Sequence, residues 1–184
     1  STVGSARSNY EEYVGFEYFP ELKGLVLALG GLMFLSDNTG QWSSLASGLT
    51  MGSLQVFSEY NPVHKVAVFG GGYDQRIYKV DASRQVTTLS IAPVTLGIQS
   101  SVFTVDPVSG DYLVFTGNPA AFYVYDVRDD SWTLQPDSVP IYYINESTGN
   151  PTVVGVAATP IADYGVNFFV SCTYWGCKTY LYKH

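Results

Sequence analysis

The sequence predicts an all-β chain, and three observations predict it. Aromatic residues are abundant while charges are scarce, Gly and Pro recur often, and one segment pattern returns at nearly regular steps. Of the 184 residues, 46% are apolar and 14% charged, with 15 Tyr, 10 Phe and 3 Trp. Such a chain can bury a core and is not disordered, and its aromatics suit the half-buried face of a pleated sheet. Eighteen Gly and nine Pro supply the punctuation that many short strands require.

Four segments share one order of parts. The first runs through Gly15-Phe-Glu-Tyr-Phe-Pro20, Gly24-Leu-Val-Leu-Ala-Leu-Gly30-Gly31, Leu32-Met-Phe-Leu35 and Gln41-Trp42-Ser-Ser-Leu45. The second holds Gln55-Val-Phe-Ser-Glu-Tyr-Asn-Pro62, Lys65-Val-Ala-Val-Phe-Gly70-Gly71, Arg76-Ile-Tyr78-Lys-Val-Asp81 and Gln85-Val-Thr-Thr-Leu89. The third is Ser101-Val-Phe-Thr-Val-Asp106-Pro107, Asp111-Tyr-Leu-Val-Phe-Thr116-Gly117, Ala121-Phe-Tyr-Val-Tyr125-Asp126 and Ser131-Trp132-Thr-Leu134. The fourth has Gly155-Val-Ala-Ala-Thr-Pro160, Gly165-Val-Asn-Phe-Phe-Val-Ser171 and Lys178-Thr-Tyr-Leu-Tyr-Lys183, and lacks a final strand. The marker prolines are spaced 42, 45 and 53 residues apart.

Four short strands in a period of that size describe a β-propeller blade. Each marker proline is expected in the turn leaving strand one, where a missing N–H costs nothing. Strand two reads as apolar throughout, as a strand covered on both faces would. The expected organisation is an irregular N-terminal segment, 1–14, followed by blades at 15–50, 51–97, 98–140 and 141–184. Because the last blade is incomplete, the repeats are expected to form part of a larger propeller. A compact four-bladed ring is the alternative.

These blades resemble kelch-type repeats of the superfamily that includes galactose oxidase. Kelch blades carry an apolar run ending in Gly-Gly, then a Tyr, then a Trp seven positions on. Val66-Ala-Val-Phe-Gly70-Gly71 matches the first part, and Tyr125 with Trp132 the second. The match is distributed: blade one has Gly30-Gly31 and Trp42 but no matching Tyr. Blade two has Tyr78 but Gln85 in the Trp place, and blade three has Thr116-Gly117 for the pair. The glycines and aromatics are packing marks and identify no ligand. Copper radical oxidases among kelch-type propellers need two His, two Tyr and a Cys joined to one Tyr. Two histidines, His64 and His184, in a turn and at the last position, do not supply that set. No cofactor or metal is therefore expected.

Charge narrows the partners. The net charge is −7, with 9 Lys+Arg against 16 Asp+Glu, a field that repels a phosphate backbone, and no basic stripe offsets it. Nucleic acid is not an expected partner. The apolar run 25–35 is too short to cross a bilayer, so no membrane span is expected. Cys172 and Cys177, five positions apart, are too few for a structural zinc site. They read as a disulfide across a hairpin tip in a secreted, extracellular or periplasmic setting, or as two buried thiols. Asn145-Glu-Ser147 fits the N-glycosylation acceptor pattern.

No arrangement of residues predicts catalysis. Asp129-Asp130 reads as a solvated turn, Asp81, Asp106 and Asp126 as turn caps, and Glu11-Glu12 lies in the irregular start. The loops after strand two are the candidate ligand contacts: Tyr73, Asp74 and Arg76, then Asn118, then Tyr174 and Trp175. Exposed aromatics beside amide and charged groups suit sugar binding by stacking and planar hydrogen bonds, or serve blade packing instead. The expected function is an extracellular non-catalytic binding or interaction module for a glycan or protein. Alternatives are the C-terminal propeller part of a secreted carbohydrate-active or oxidative enzyme whose catalytic residues lie elsewhere, and a structural role in an extracellular assembly.

Overall fold

The computed structural model describes residues 14–52, 54–136, 141–145, 147–173 and 175–183. These form two compact units, Ser1–Gly97 and Ile98–His184. The expected N-terminal segment, apart from Val14, lies outside the described residues, as do Tyr174 and His184.

The first unit holds two antiparallel four-stranded sheets in sequential order. One contains β1 (Gly15–Phe19), β2 (Gly24–Ala28), β3 (Gly31–Ser36) and β4 (Trp42–Ser47). The other contains β5 (Val56–Asn61), β6 (Val66–Gly71), β7 (Ile77–Asp81) and β8 (Val86–Thr88). Their facing residues make one core, with Phe19, Val26, Leu32 and Phe34 against Val56, Phe69, Tyr78 and Val80.

The second unit repeats the plan with β9 (Ser101–Val105), β10 (Tyr112–Gly117), β11 (Ala120–Asp126) and β12 (Ser131–Leu134). A short hairpin follows, β13 (Tyr143–Ile144) with β14 (Pro151–Thr152). Three strands end the described chain: β15 (Val156–Ile161), β16 (Val166–Thr173) and β17 (Gly176–Tyr182). Val102, Leu113, Phe115 and Phe122 pack with Phe169, Ile141 and Val153. Among the described residues no helix is long and apolar enough to cross a membrane.

Strand two does run buried from end to end in β10 and nearly so in β6. In β2 and β16 burial alternates instead, because those strands press one face into a core and leave the other half open.

The turns between strands one and two come in two kinds. Asn61 and Asp106 each accept backbone N–H bonds through Oδ1, from Val63 and His64 at 3.1 and 3.0 Å and from Val108 and Ser109 at 2.8 and 3.0 Å. Each chain then returns through a left-handed residue, Lys65 or Gly110. In the first and last sheets a single 3-10 turn replaces this device, Pro20–Leu22 and Ala162–Tyr164, closed by left-handed Lys23 and Gly165. Pro160 therefore departs from its expected turn position: it sits inside β15, paired with Asn167. β15 is an edge strand, where a proline removes no ladder bond the sheet needs.

Two sequence marks change meaning in three dimensions. Tyr125 and Trp132 are directly opposed across β11 and β12, with ring centroids 4.5 Å apart. Tyr125 is fully buried and donates its hydroxyl to Asp130 at 2.6 Å. Burial and that carboxylate both push its pKa up. The seven-residue spacing does not transfer to Tyr78 and Gln85, since Tyr78 opposes Thr88 while Val80 opposes Val86. Leu35 opposite Trp42 fills the same place in the first sheet. Gly71, the other mark, lies against the Leu96 segment. Its φ is +76°, and a Cβ there would lie 2.9 Å from the Leu96 carbonyl oxygen, in the segment that returns over the same sheet.

Candidate functional site

Aspartates at strand ends act as turn caps, as expected. Asp81 Oδ1 accepts from the Ser83 hydroxyl at 2.6 Å and from the Gln85 amide at 2.9 Å. Asp126 accepts from the Arg128 backbone at 2.8 Å and pairs its side chain at 2.9 Å. These bonds favour the charged form and hold both carboxyls below the usual range, with the Ser83 hydroxyl and the Arg128 guanidinium as the leading causes. Asp130 is engaged by Tyr125. His64 is half-buried in its turn, and its amide is held by Asn61. Among the described residues no three His, Cys, Asp or Glu side chains gather as a metal would require.

The first candidate cleft lies in the first unit, with a volume of about 510 Å³. Tyr73, Asp74 and Arg76 form one wall, and Ile91 and Thr95 border it. Tyr73 has φ +66°, its amide bonds the Leu96 carbonyl at 3.0 Å, and its hydroxyl accepts from Gln55 Nε2. Tyr73 remains 58% exposed. Asp74 receives the Arg76 guanidinium as a fork, Nε on Oδ1 and a terminal nitrogen on Oδ2, each at 2.9 Å. That bond, ahead of all other causes, lowers the Asp74 pKa and fixes it as a carboxylate. A carboxylate so occupied is a positioned acceptor, not a poised general base.

The second cleft, about 570 Å³, lies in the second unit beside the β16–β17 hairpin. Cys172 and Cys177 are directly opposed and form a disulfide, with Cα atoms 4.1 Å apart. Thr173 then shapes the tip: its Oγ1 accepts from the Trp175 amide and donates to the Gly176 carbonyl, both at 3.2 Å. Trp175 is left 78% exposed. Tyr142, Tyr143 and Ile144 from the β13 region meet Ser171, Lys178 and Tyr180 around the same space. The result is an aromatic lining with hydroxyls and one ammonium, which suits a ligand that offers both apolar ring faces and hydroxyls.

Asn118 lines a third, smaller cleft in the second unit, which Asn145 also borders. The structure thus brings Tyr73, Asp74 and Arg76 together, and it separates Trp175 from Asn118. Tyr142, Tyr143 and Tyr180 escaped the sequence reading. The signal for Tyr142 and Tyr143 was the 53-residue step, the longest of the three, whose surplus carries Ile141-Tyr-Tyr-Ile144, whereas Tyr180 reads simply as part of a blade strand.

No protein-family model and no curated protein matches the chain. Solved structures do. A fungal alcohol oxidase of the AA5 family, in complex with copper, is 13% identical with a TM-score of 0.56, over 86% of this chain and 36% of that one. An auxiliary nutrient binding protein from Bacteroides thetaiotaomicron is 11% identical with a TM-score of 0.59, over 94% and 42%. TolB from Acinetobacter baumannii is 14% identical with a TM-score of 0.53, over 92% and 40%. The chain spans well under two thirds of the length of each. At such identities the likeness speaks to fold alone. Together with the sequential antiparallel sheets, it establishes that this chain is built of about four β-propeller blades.

Proposed function

We propose that the chain is a non-catalytic binding module of an exported protein, and that its ligand is a glycan seated at the Trp175 cleft. One observation carries this reading: Trp175, 78% exposed on a disulfide-closed hairpin, lines one open cleft together with tyrosines and hydroxyls. Large exposed aromatics cost solvation and serve stacking, while the surrounding hydroxyls can match those of a sugar ring. The disulfide also supports an oxidising compartment. The directly opposed Tyr125–Trp132 pair supports assignment of the blades to the kelch type.

The test is a glycan array followed by titration of the retained glycans. Trp175→Ala should weaken retention by about tenfold, near 1.4 kcal/mol, as loss of one stacking face implies. Tyr73→Ala should leave that retention unchanged. Equal retention by Trp175→Ala and the parent chain would remove this cleft from the function. Failure of every glycan to bind would favour a protein ligand.

Further blades are proposed as a second partner. Phe16 and Tyr18 on β1 are 52% and 44% exposed, and Leu181 on β17 is 68% exposed. Sheet faces of that character are ordinarily covered in a propeller. Native mass measurement should therefore show an assembly. A clean monomer of 20.1 kDa at working concentration would count against it.

A further inference from the structure

We infer that the cleft beside the β13–β14 hairpin is a seat for one neutral sugar residue, held edge-on by amides and separate from the Trp175 cleft. Gln99, Asn118, Asn145 and Asn150 line it together with Ser100 and Thr152. Among the described residues, none of its lining side chains is ionisable, although the chain carries 25 Asp, Glu, Lys and Arg residues in all. A concentration of carboxamides and hydroxyls without charge offers nothing to an anion or a cation. It does offer paired donors and acceptors in fixed planes, which match neighbouring hydroxyls of a pyranose. The volume, about 280 Å³, falls just below the usual range of drug-sized sites, about 300–1,000 Å³, and suits a single ring.

The walls of this cleft are built, not incidental. A Cβ on Gly117 would lie 2.5 Å from the Thr152 Cα, so the absence of a side chain lets the end of β10 abut β14. Across the turn that carries Asn118, the Thr116 hydroxyl donates to the Pro119 carbonyl at 2.7 Å. On the hairpin side, the Asn145 amide donates to the Asn150 carbonyl at 2.9 Å, and the Asn145 carbonyl accepts from Gly149 at 2.7 Å. Asn145 Oδ1 accepts from the Ser147 amide at 2.9 Å. Such fixed walls reduce the ordering cost that a small polar ligand could not otherwise repay. Among the described residues no aromatic ring lines the cleft, so recognition here rests on hydrogen bonds, unlike the stacking of the other site.

Two sources share this chemistry: a free saccharide, and a glycan attached to Asn145 within Asn145-Glu-Ser147. The full chain is made isotopically labelled in a bacterial host, without glycosylation, and in a eukaryotic secretory host. Galactose, glucose, mannose and N-acetylglucosamine are titrated to about 100 mM, the weak range expected of a single sugar. In the bacterial material, at least one sugar should shift the side-chain amide NMR signals of Asn118 and Asn150 saturably. Asn118→Ala with Asn150→Ala should weaken that response about tenfold, read from the Gln99 and Asn145 signals, with backbone spectra confirming the fold. Trp175→Ala should leave it intact, so this site can succeed where the aromatic one fails. If the attached glycan is the occupant, the secretory material shows these signals already displaced, and Asn145→Gln returns them. The inference is overturned if no sugar moves them and the attached glycan leaves them where they stand in the bacterial protein. It is equally overturned if the sugar response survives the double substitution.

Discussion

Phe169→Ala should destabilise the second unit by about 3–5 kcal/mol, the usual cost of removing a fully enclosed phenyl ring. Phe169 has no exposed surface and sits mid-strand in β16. Its ring meets Phe115 edge-on at 5.1 Å, Phe115 stacks on Phe122 at 4.3 Å, and Phe122 meets Tyr182 edge-on at 5.6 Å. Those rings tie β10 and β11 to β16 and β17, so deletion opens a void between two sheets and not within one. The sheets cannot collapse onto it, because β9 and β16 already hold their spacing through the buried Thr104–Asn167 bond at 3.3 Å. Phe169→Leu, which keeps most of the volume, should cost less than about 1.5 kcal/mol. Urea denaturation reads both, and a Trp42→Phe background confines tryptophan fluorescence to Trp132 and Trp175 of the second unit. The midpoint should fall with little change in slope. A loss below about 1 kcal/mol for Phe169→Ala would mean that the two sheets do not depend on this chain of rings.

The periodic part of this architecture was readable from residues because blade strands are local and repeated. An apolar run such as Leu113-Val-Phe115 must be covered whatever else happens, and Asp106-Pro107 announces a turn by its own chemistry. What escaped depends on partners distant in sequence. Pro160 looked like Pro62, yet the turn beyond it is a 3-10 turn, and the proline falls inside an edge strand. Tyr78 and Gln85 kept the right spacing, but a shorter β7–β8 turn shifted the register, and Val80 with Val86 took the positions that Tyr125 and Trp132 hold. The aromatic cleft is the extreme case. Trp175 was visible as a loop aromatic, whereas Tyr142 and Tyr143 reach it from a hairpin roughly thirty residues earlier, a juxtaposition only tertiary packing creates.

Opening the Cys172–Cys177 bond should lower stability by about 2 kcal/mol and weaken ligand retention at Trp175 together. The bond closes a ring of only a few residues, with a sequence separation of 5, and loop entropy for so short a ring gives about 2 kcal/mol. Its position decides the functional effect. Cys172 and Cys177 are the last opposed pair but one before the tip, and the pair beyond them is Thr173 with Gly176. Once a dithiol reductant has been oxidised and the cystine reduced to two thiols, the tip loses its covalent closure, and the Thr173 hydroxyl still accepts from the Trp175 amide. An indole free to sample many orientations must be ordered again on binding, which raises the entropic cost of stacking. Cys172→Ser with Cys177→Ser should reproduce the reduced state, and the Asn118 cleft should be indifferent to both, since its walls come from β10 and the β13–β14 hairpin. Thermal melts and glycan titrations, run oxidised and reduced, check the pair of effects. Unchanged melting with unchanged retention would show that the hairpin tip is shaped by Thr173 and its backbone without help from the cystine.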